Sequence, residues 1–239
     1  MDTSNMTQIF SEFLGTMILI LLGDGVCAGV NLKKSKAAGS GWIVIAFGWA
    51  MAVTIAVYVA GYMGPAHLNP AVTVAMAMAG SFEWSLVVPF ILAQVLGAVL
   101  GAVLVWLAYL PHWQVTKDQG AILGTFATSP AIRNYPANMV TEVIGTFVLV
   151  LGLLSFSQHN FTDGLNPLVV GALILSIGLS LGGPTGYAIN PARDFGPRLA
   201  HQILPISTKG ESDWRYSWVP ILGPLVGAVV ASGVYMLMV

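Results

Sequence analysis

Two tripeptides and two carboxylates recur at matched places in this chain: Asn69-Pro70-Ala71 with Asn190-Pro191-Ala192, and Glu12 with Glu142. An Asn at a helix N-cap followed by Pro at the first helical position starts a helix whose end carries partial positive charge. Two such ends brought together would oppose a cation or proton, whereas a neutral molecule would meet only the amide donors of Asn69 and Asn190. A carboxylate in an apolar segment is costly and by default functional, which admits a proton relay through Glu12 and Glu142. The competing use is structural, with each carboxylate accepting N–H groups from non-helical backbone where water is absent. His67, just before the first tripeptide, offers a polar edge to the same place. It has no second ligand near it in sequence, so no metal site is expected.

These groups need a scaffold, and composition says which solvent it lives in. Hydrophobic residues make up 56% of the 239 residues and Asp, Glu, Lys and Arg only 8%, against about 25% charged in a soluble protein. Too few charges remain to cover a water-facing surface, so a soluble enzyme is excluded and the lipid bilayer is the expected partner. The net charge of −1 provides no field for nucleic acid, and one cysteine, Cys27, provides no disulfide. Windows free of charge lie between Lys36 and Glu83, Glu83 and Lys117, Glu142 and Asp163, Asp163 and Arg193, and after Arg215. Each can hold a helix of about 20 residues. Six spans are read, roughly 9–30, 41–62, 84–108, 137–156, 167–181 and 218–239. Two apolar helices too short to cross follow the tripeptides, at about 71–79 and 192–202.

The chain also matches itself. Glu12-Phe13-Leu14-Gly15-Thr16 aligns with Glu142-Val143-Ile144-Gly145-Thr146, and Gln94-Val95-Leu96-Gly97-Ala98 with Pro224-Leu225-Val226-Gly227-Ala228 at the same shift. Residues 1–239 are therefore read as a single membrane domain made of two repeats, about 7–110 and 136–239. Three spans in each force the second repeat to enter the membrane inverted, and paired half-helices in such a repeat point to a site at the midplane.

His67-Leu68-Asn69-Pro70-Ala71-Val72 and Gly186-Tyr187-Ala188-Ile189-Asn190-Pro191-Ala192-Arg193-Asp194 resemble the two signature loops of the major intrinsic proteins, the aquaporins and glycerol facilitators. The resemblance implies an all-α membrane fold of six transmembrane helices and two re-entrant half-helices, assembled as a homotetramer with one pore per subunit. Asp194 after the second motif resembles the glycerol facilitator, or aquaglyceroporin, branch of bacterial type, where this acid lies behind the pore and helps hold the loop carrying Arg193. Counting from the motifs, the family's outer selectivity filter falls on Trp49, Gly178, Tyr187 and Arg193. Gly178 would leave room for a carbon backbone, Trp49 and Tyr187 would face C–H groups, and Arg193 would donate to hydroxyls. His67 would line the pore, and Glu12 and Glu142 would buttress the loops.

The resemblance implies a passive channel for glycerol and other small neutral solutes, with water, that excludes ions and protons. Dihydroxyacetone, urea, hydrogen peroxide and lactic acid would suit the same slot. It implies no enzyme activity and no cofactor; the alternative is a proton-coupled transporter using Glu12 and Glu142. A multi-pass cell-membrane protein with both termini cytoplasmic is expected, although all nine basic residues then fall outside, against the positive-inside tendency.

Overall fold

The computed structural model describes residues 4–238. Ten helices lie among the described residues: α1 (Asn5–Asn31), α2 (Trp42–Ala60), α3 (Pro70–Met78), α4 (Trp84–Ala108), α5 (Leu110–Val115), α6 (Gln119–Phe126), α7 (Tyr135–Phe156), α8 (Asn166–Leu181), α9 (Pro191–Ile203) and α10 (Val219–Met236). Five of them, α1, α2, α4, α7 and α10, are long and apolar enough to cross a bilayer. The helix α8, read from the sequence as the sixth span, is a shorter apolar helix of 16 residues, a length of about 24 Å at the helical rise per residue. The short helices α5 and α6 were not expected. Their composition gives no amphipathic run, and α6 is started by Asp118, whose side chain accepts from Ala121 N–H.

Side chains are distributed as a bilayer requires. Large apolar residues such as Phe47, Met51, Leu92, Leu96, Val226 and Val230 stay exposed on the outer faces of α2, α4 and α10, while Glu12, Gln94, Glu142, Arg193, Asp194 and Arg198 are buried. Small residues let the spans close on one another. A Cβ at Gly97 would overlap the Phe13 carbonyl oxygen, and one at Gly101 would lie 2.6 Å from that of Met17, so α4 rests directly on α1. Gly223 and Gly227 bring α10 onto α7 in the same way. The two halves join where α2 meets α8, and the half-helices cross between them, α3 against α4 and α10, α9 against α4 and α10.

Long-range hydrogen bonds sort the connections into two ends. Lys33 N–H donates to Thr116 Oγ1, the Thr208 hydroxyl to the Trp113 carbonyl, and Arg133 to Asp213, so the segments around Lys33, Trp113 and Asp213 share one end. At the other end the Gln158 amide donates to Tyr235 Oη and Tyr58 Oη to the Gly164 carbonyl. The start of α1 lies there too, because a Cβ at Gly64 would contact Ser11 and Gln8. The basic loop residues thus gather at the end opposite to where α1 begins and α10 finishes.

Candidate functional site

The site is built where the two half-helices meet. Asn69 caps α3 by accepting from Ala71 N–H at 2.9 Å; Asn190 caps α9 by accepting from Ala192 N–H at 3.0 Å and Arg193 N–H at 3.2 Å. Each amide nitrogen then reaches into the other half, Asn69 Nδ2 to the Ile189 carbonyl and Asn190 Nδ2 to the Leu68 carbonyl, both at 2.8 Å. An amide carries two N–H donors, so each Asn keeps one for something else. Pro70 and Pro191 occupy the first helical positions, and Ala71 and Ala192 are fully buried behind them.

The approach to each cap is strained in the same way. Ala66 and Leu68 hold φ of 51° and 54°, and Tyr187 and Ile189, their counterparts, hold 39° and 43°. Left-handed backbone at non-glycine residues costs on the order of 1–3 kcal/mol each and persists only where the surroundings enforce it. The enforcing groups are the two glutamates. Glu12 accepts from His67 and Leu68 N–H, both at 2.7 Å, and Glu142 accepts from Ala188 and Ile189 N–H at 3.1 and 2.9 Å. The Gln94 amide adds a third donor to Glu12 at 2.7 Å and also donates to Thr73. The sequence reading used Gln94 only to align the two halves and missed this role, although its partner in that alignment, Pro224, offers no such donor.

A cavity of about 390 Å³ runs past this junction. Its lining includes Trp49, His67, Asn69, Tyr187, Asn190 and Arg193, together with an apolar wall of Leu19, Val53, Val57, Leu149, Val170 and Ile174. Glu12 and Glu142 are not among the lining residues; both are buried behind the loops. His67 packs edge-on against Phe82 at 4.7 Å between ring centroids.

At one end of the cavity Trp49, Tyr187 and Arg193 come together. The Arg193 guanidinium lies 4.0 Å from the Trp49 ring centroid and donates to the Phe126 carbonyl at 3.2 Å. Trp49 turns its N–H away, to Cys27 Sγ at 3.3 Å, and Gly23 makes space for its ring. Gly178 lies against the tyrosine of this group: a Cβ built there would be 2.8 Å from Tyr187 Cζ, so the ring packs into the space a side chain would take. Trp42 secures that arrangement, donating to the Gly178 carbonyl at 2.9 Å while its ring meets Tyr187 edge to face. Neither Trp42 nor Phe126 was singled out from sequence, because each acts through a contact more than 60 residues distant along the chain.

Asp194 lies behind this end, fully buried. Its two oxygens accept from Arg198 at 2.8 and 3.0 Å, and Oδ2 also accepts from the Thr128 N–H and hydroxyl. Arg198 spends its other donors on the carbonyls of Thr128, Ser212 and Asp213. The pair ties α9 to the segments before α7 and α10. Farther out, hydrogen bonding to Asp213 raises the Arg133 guanidinium above the ordinary arginine range. Among the described residues no cluster of three metal-ligating side chains occurs.

The comparisons with known proteins agree with this geometry. The family model described as major intrinsic protein matches residues 1–235. Glycerol uptake facilitator protein 3 of Lactiplantibacillus plantarum is 63% identical over 225 residues, 94% of each chain. A probable glycerol uptake facilitator protein of Thermotoga maritima is 59% identical over 96% of this chain and 98% of its own. In three dimensions the chain is similar to the aquaglyceroporin of Plasmodium falciparum, with a TM-score of 0.86 and 32% identity over 97% of this chain and 96% of that one.

Proposed function

The chain belongs to the major intrinsic protein family, and we propose that it is a passive membrane channel for glycerol and other small neutral solutes, with water. It is a channel and not an enzyme. The observation that carries the reading is the mixed lining of the cavity, which combines apolar side chains such as Val53, Leu149 and Ile174 with the donors of Asn69, Asn190 and Arg193. Glycerol has the matching pattern. Its hydroxyls would take the free N–H of Asn69, that of Asn190 and the guanidinium of Arg193, while its C–H groups lie along Trp49, Val53 and Ile174. Donors set in a line let one hydroxyl be handed on before the next is released, so no deep trap forms.

Ions fare differently in such a slot. The N-termini of α3 and α9 meet end to end across the Asn69 and Asn190 bonds, and both partial positive charges oppose a cation at that point. That half-helix dipoles and an arginine exclude protons and cations in aquaporin-type pores is a general principle of the class. The proton-coupled alternative is not favoured, because the oxygens of Glu12 and Glu142 are occupied by backbone N–H donors away from the cavity.

We assign the filter to Trp49, Gly178, Tyr187 and Arg193, with Gly178 acting by admitting the Tyr187 ring. The two halves, about 7–110 and 136–239, act as inverted repeats, which the exchanged Asn69 and Asn190 bonds and the paired left-handed residues support. The protein would reside in the cell membrane as a homotetramer, with α1 beginning and α10 ending on the cytoplasmic side. Osmotic swelling of liposomes containing the purified protein, run over glycerol, dihydroxyacetone, urea, hydrogen peroxide and lactic acid, tests the reading. Linear, pH-independent glycerol flux supports it, and saturable uptake that requires a proton gradient overturns it.

A further inference from the structure

Arg193 is approached by a carboxylate that the repeat does not explain. Asp24, about two turns before the end of α1, places Oδ1 3.6 Å from Arg193 Nη1, and its side chain is fully buried. Neither carboxylate oxygen has a hydrogen-bond partner among the described residues. It does not line the cavity, so it stands on the protein side of the guanidinium. Its counterpart in the second half, at the shift that pairs Glu12 with Glu142, is Leu154. The architecture of the loops therefore has no use for it.

A buried carboxylate without donors is strongly unfavourable unless a cation compensates it. Arg193 provides that cation. The converse also holds, because the nearest acid in sequence is already committed: both oxygens of Asp194 accept from Arg198, and Thr128 takes the remaining capacity of Oδ2. Without Asp24 the guanidinium would face the cavity as a lone cation, held by one carbonyl and one aromatic ring.

We propose that Asp24 is a further specificity-determining residue, a positioning group that compensates Arg193 from behind so that permeating solute meets hydrogen-bond donors on a neutral ion pair. This rests on the reading that Arg193 borders the solute path. A lone guanidinium in a narrow, water-poor slot is an anion site, since its planar fork matches a carboxylate. A small anion caught there would plug the channel. With Asp24 behind it, an anion in the slot is repelled by the carboxylate from farther off than the guanidinium attracts it, so the net pull falls from that of a charge to that of a dipole while the donors remain for a hydroxyl.

Glycerol flux into proteoliposomes at neutral pH, with sodium formate raised equally on both sides, tests the proposal. Formate should half-block Asp24→Asn and Asp24→Val at a concentration at least about tenfold below that needed for the wild type, a difference of about 1.4 kcal/mol. Asp24→Glu, which keeps the charge, should stay near the wild type. Asp24→Val removes the charge together with its unmet hydrogen-bonding need, so it keeps the test open should Asp24→Asn fold poorly. The same formate dependence in all four proteins overturns the proposal. Arg193→Val separates the two levels. If it leaves the solute panel unchanged, Arg193 does not border the path and the underlying reading fails with the proposal. If it alters the panel while Asp24 substitutions leave formate sensitivity unmoved, the role of Asp24 alone is overturned.

Discussion

The ring of Tyr187 occupies the space that the missing side chain of Gly178 leaves, with Oη 2.9 Å from where a Cβ would stand. The two residues are one steric unit, so substitution of either is felt through the other. Gly178→His alone should expel the ring and destabilise the fold by about 1–3 kcal/mol, the usual cost of overpacking. Gly178→His with Tyr187→Ala should restore folding and place the imidazole in the slot, passing water but little glycerol. Stopped-flow light scattering on both solutes checks this. A single variant that keeps full stability and full glycerol flux would mean that the two side chains do not share this space.

The glutamates should differ in strength despite their symmetry. Glu12 has three donors to satisfy and Glu142 two. A leucine in place of either glutamate leaves every one of these donors unmet, at about 1–3 kcal/mol each. Glu12→Leu should therefore melt below Glu142→Leu in detergent, while Glu12→Gln and Glu142→Gln, which keep an acceptor oxygen, should keep passive glycerol flux with little dependence on external pH. The reverse order of melting would show that the Gln94 contact contributes nothing.

Buried and exposed ion pairs give a second contrast. Arg198→Met leaves Asp194 fully buried opposite Thr128 with no cation, which should cost about 3–5 kcal/mol. Arg133→Met removes a pair whose arginine side chain is 44% exposed, and should cost less than about 1 kcal/mol. Thermal unfolding of the two variants decides; equal shifts would rule out the anchoring assigned to Arg198.

Ion exclusion should rest on the junction of Asn69 with Asn190 and on the balance of charge between Arg193 and Asp24. Arg193→Val should admit a small cation leak, because Asp24 is then unopposed, and Arg193→Val with Asp24→Val should leak less than the single variant. Both should keep neutral flux. Liposome proton-flux measurements would contradict this if the single and double variants leaked alike.

Sidedness can be read from amine chemistry. Lys33, Lys34 and Lys36 lie at the end opposite to where α1 begins. A membrane-impermeant amine reagent should label them in intact cells; labelling only after lysis would turn the whole molecule over.

The apolar helices and the two short helices that follow the tripeptides were legible in the sequence because their causes are local. Charge-free windows, Pro and Gly breaks and Asn-Pro caps act within one or two turns, and the repeat preserves them at matched positions. The same locality explains why Glu12 and Glu142 could be assigned to N–H groups beside the tripeptides, since a re-entrant loop at membrane depth must find acceptors somewhere. Which side chain meets which across the molecule was a matter of packing. That Tyr187 fills Gly178, that Phe126 offers its carbonyl to Arg193, that Gln94 strengthens Glu12 while Pro224 cannot do so for Glu142, and that Arg198 takes both oxygens of Asp194 all depend on contacts between distant segments. Asp24 shows the division most clearly. Its place in an apolar span and its mismatch with Leu154 stand in the sequence, yet the sequence reading passed over it, because its meaning depended on a 3.6 Å approach to Arg193. Charge pairing falls off with distance and is decided by what else is near enough to compete, and only the folded chain sets those distances.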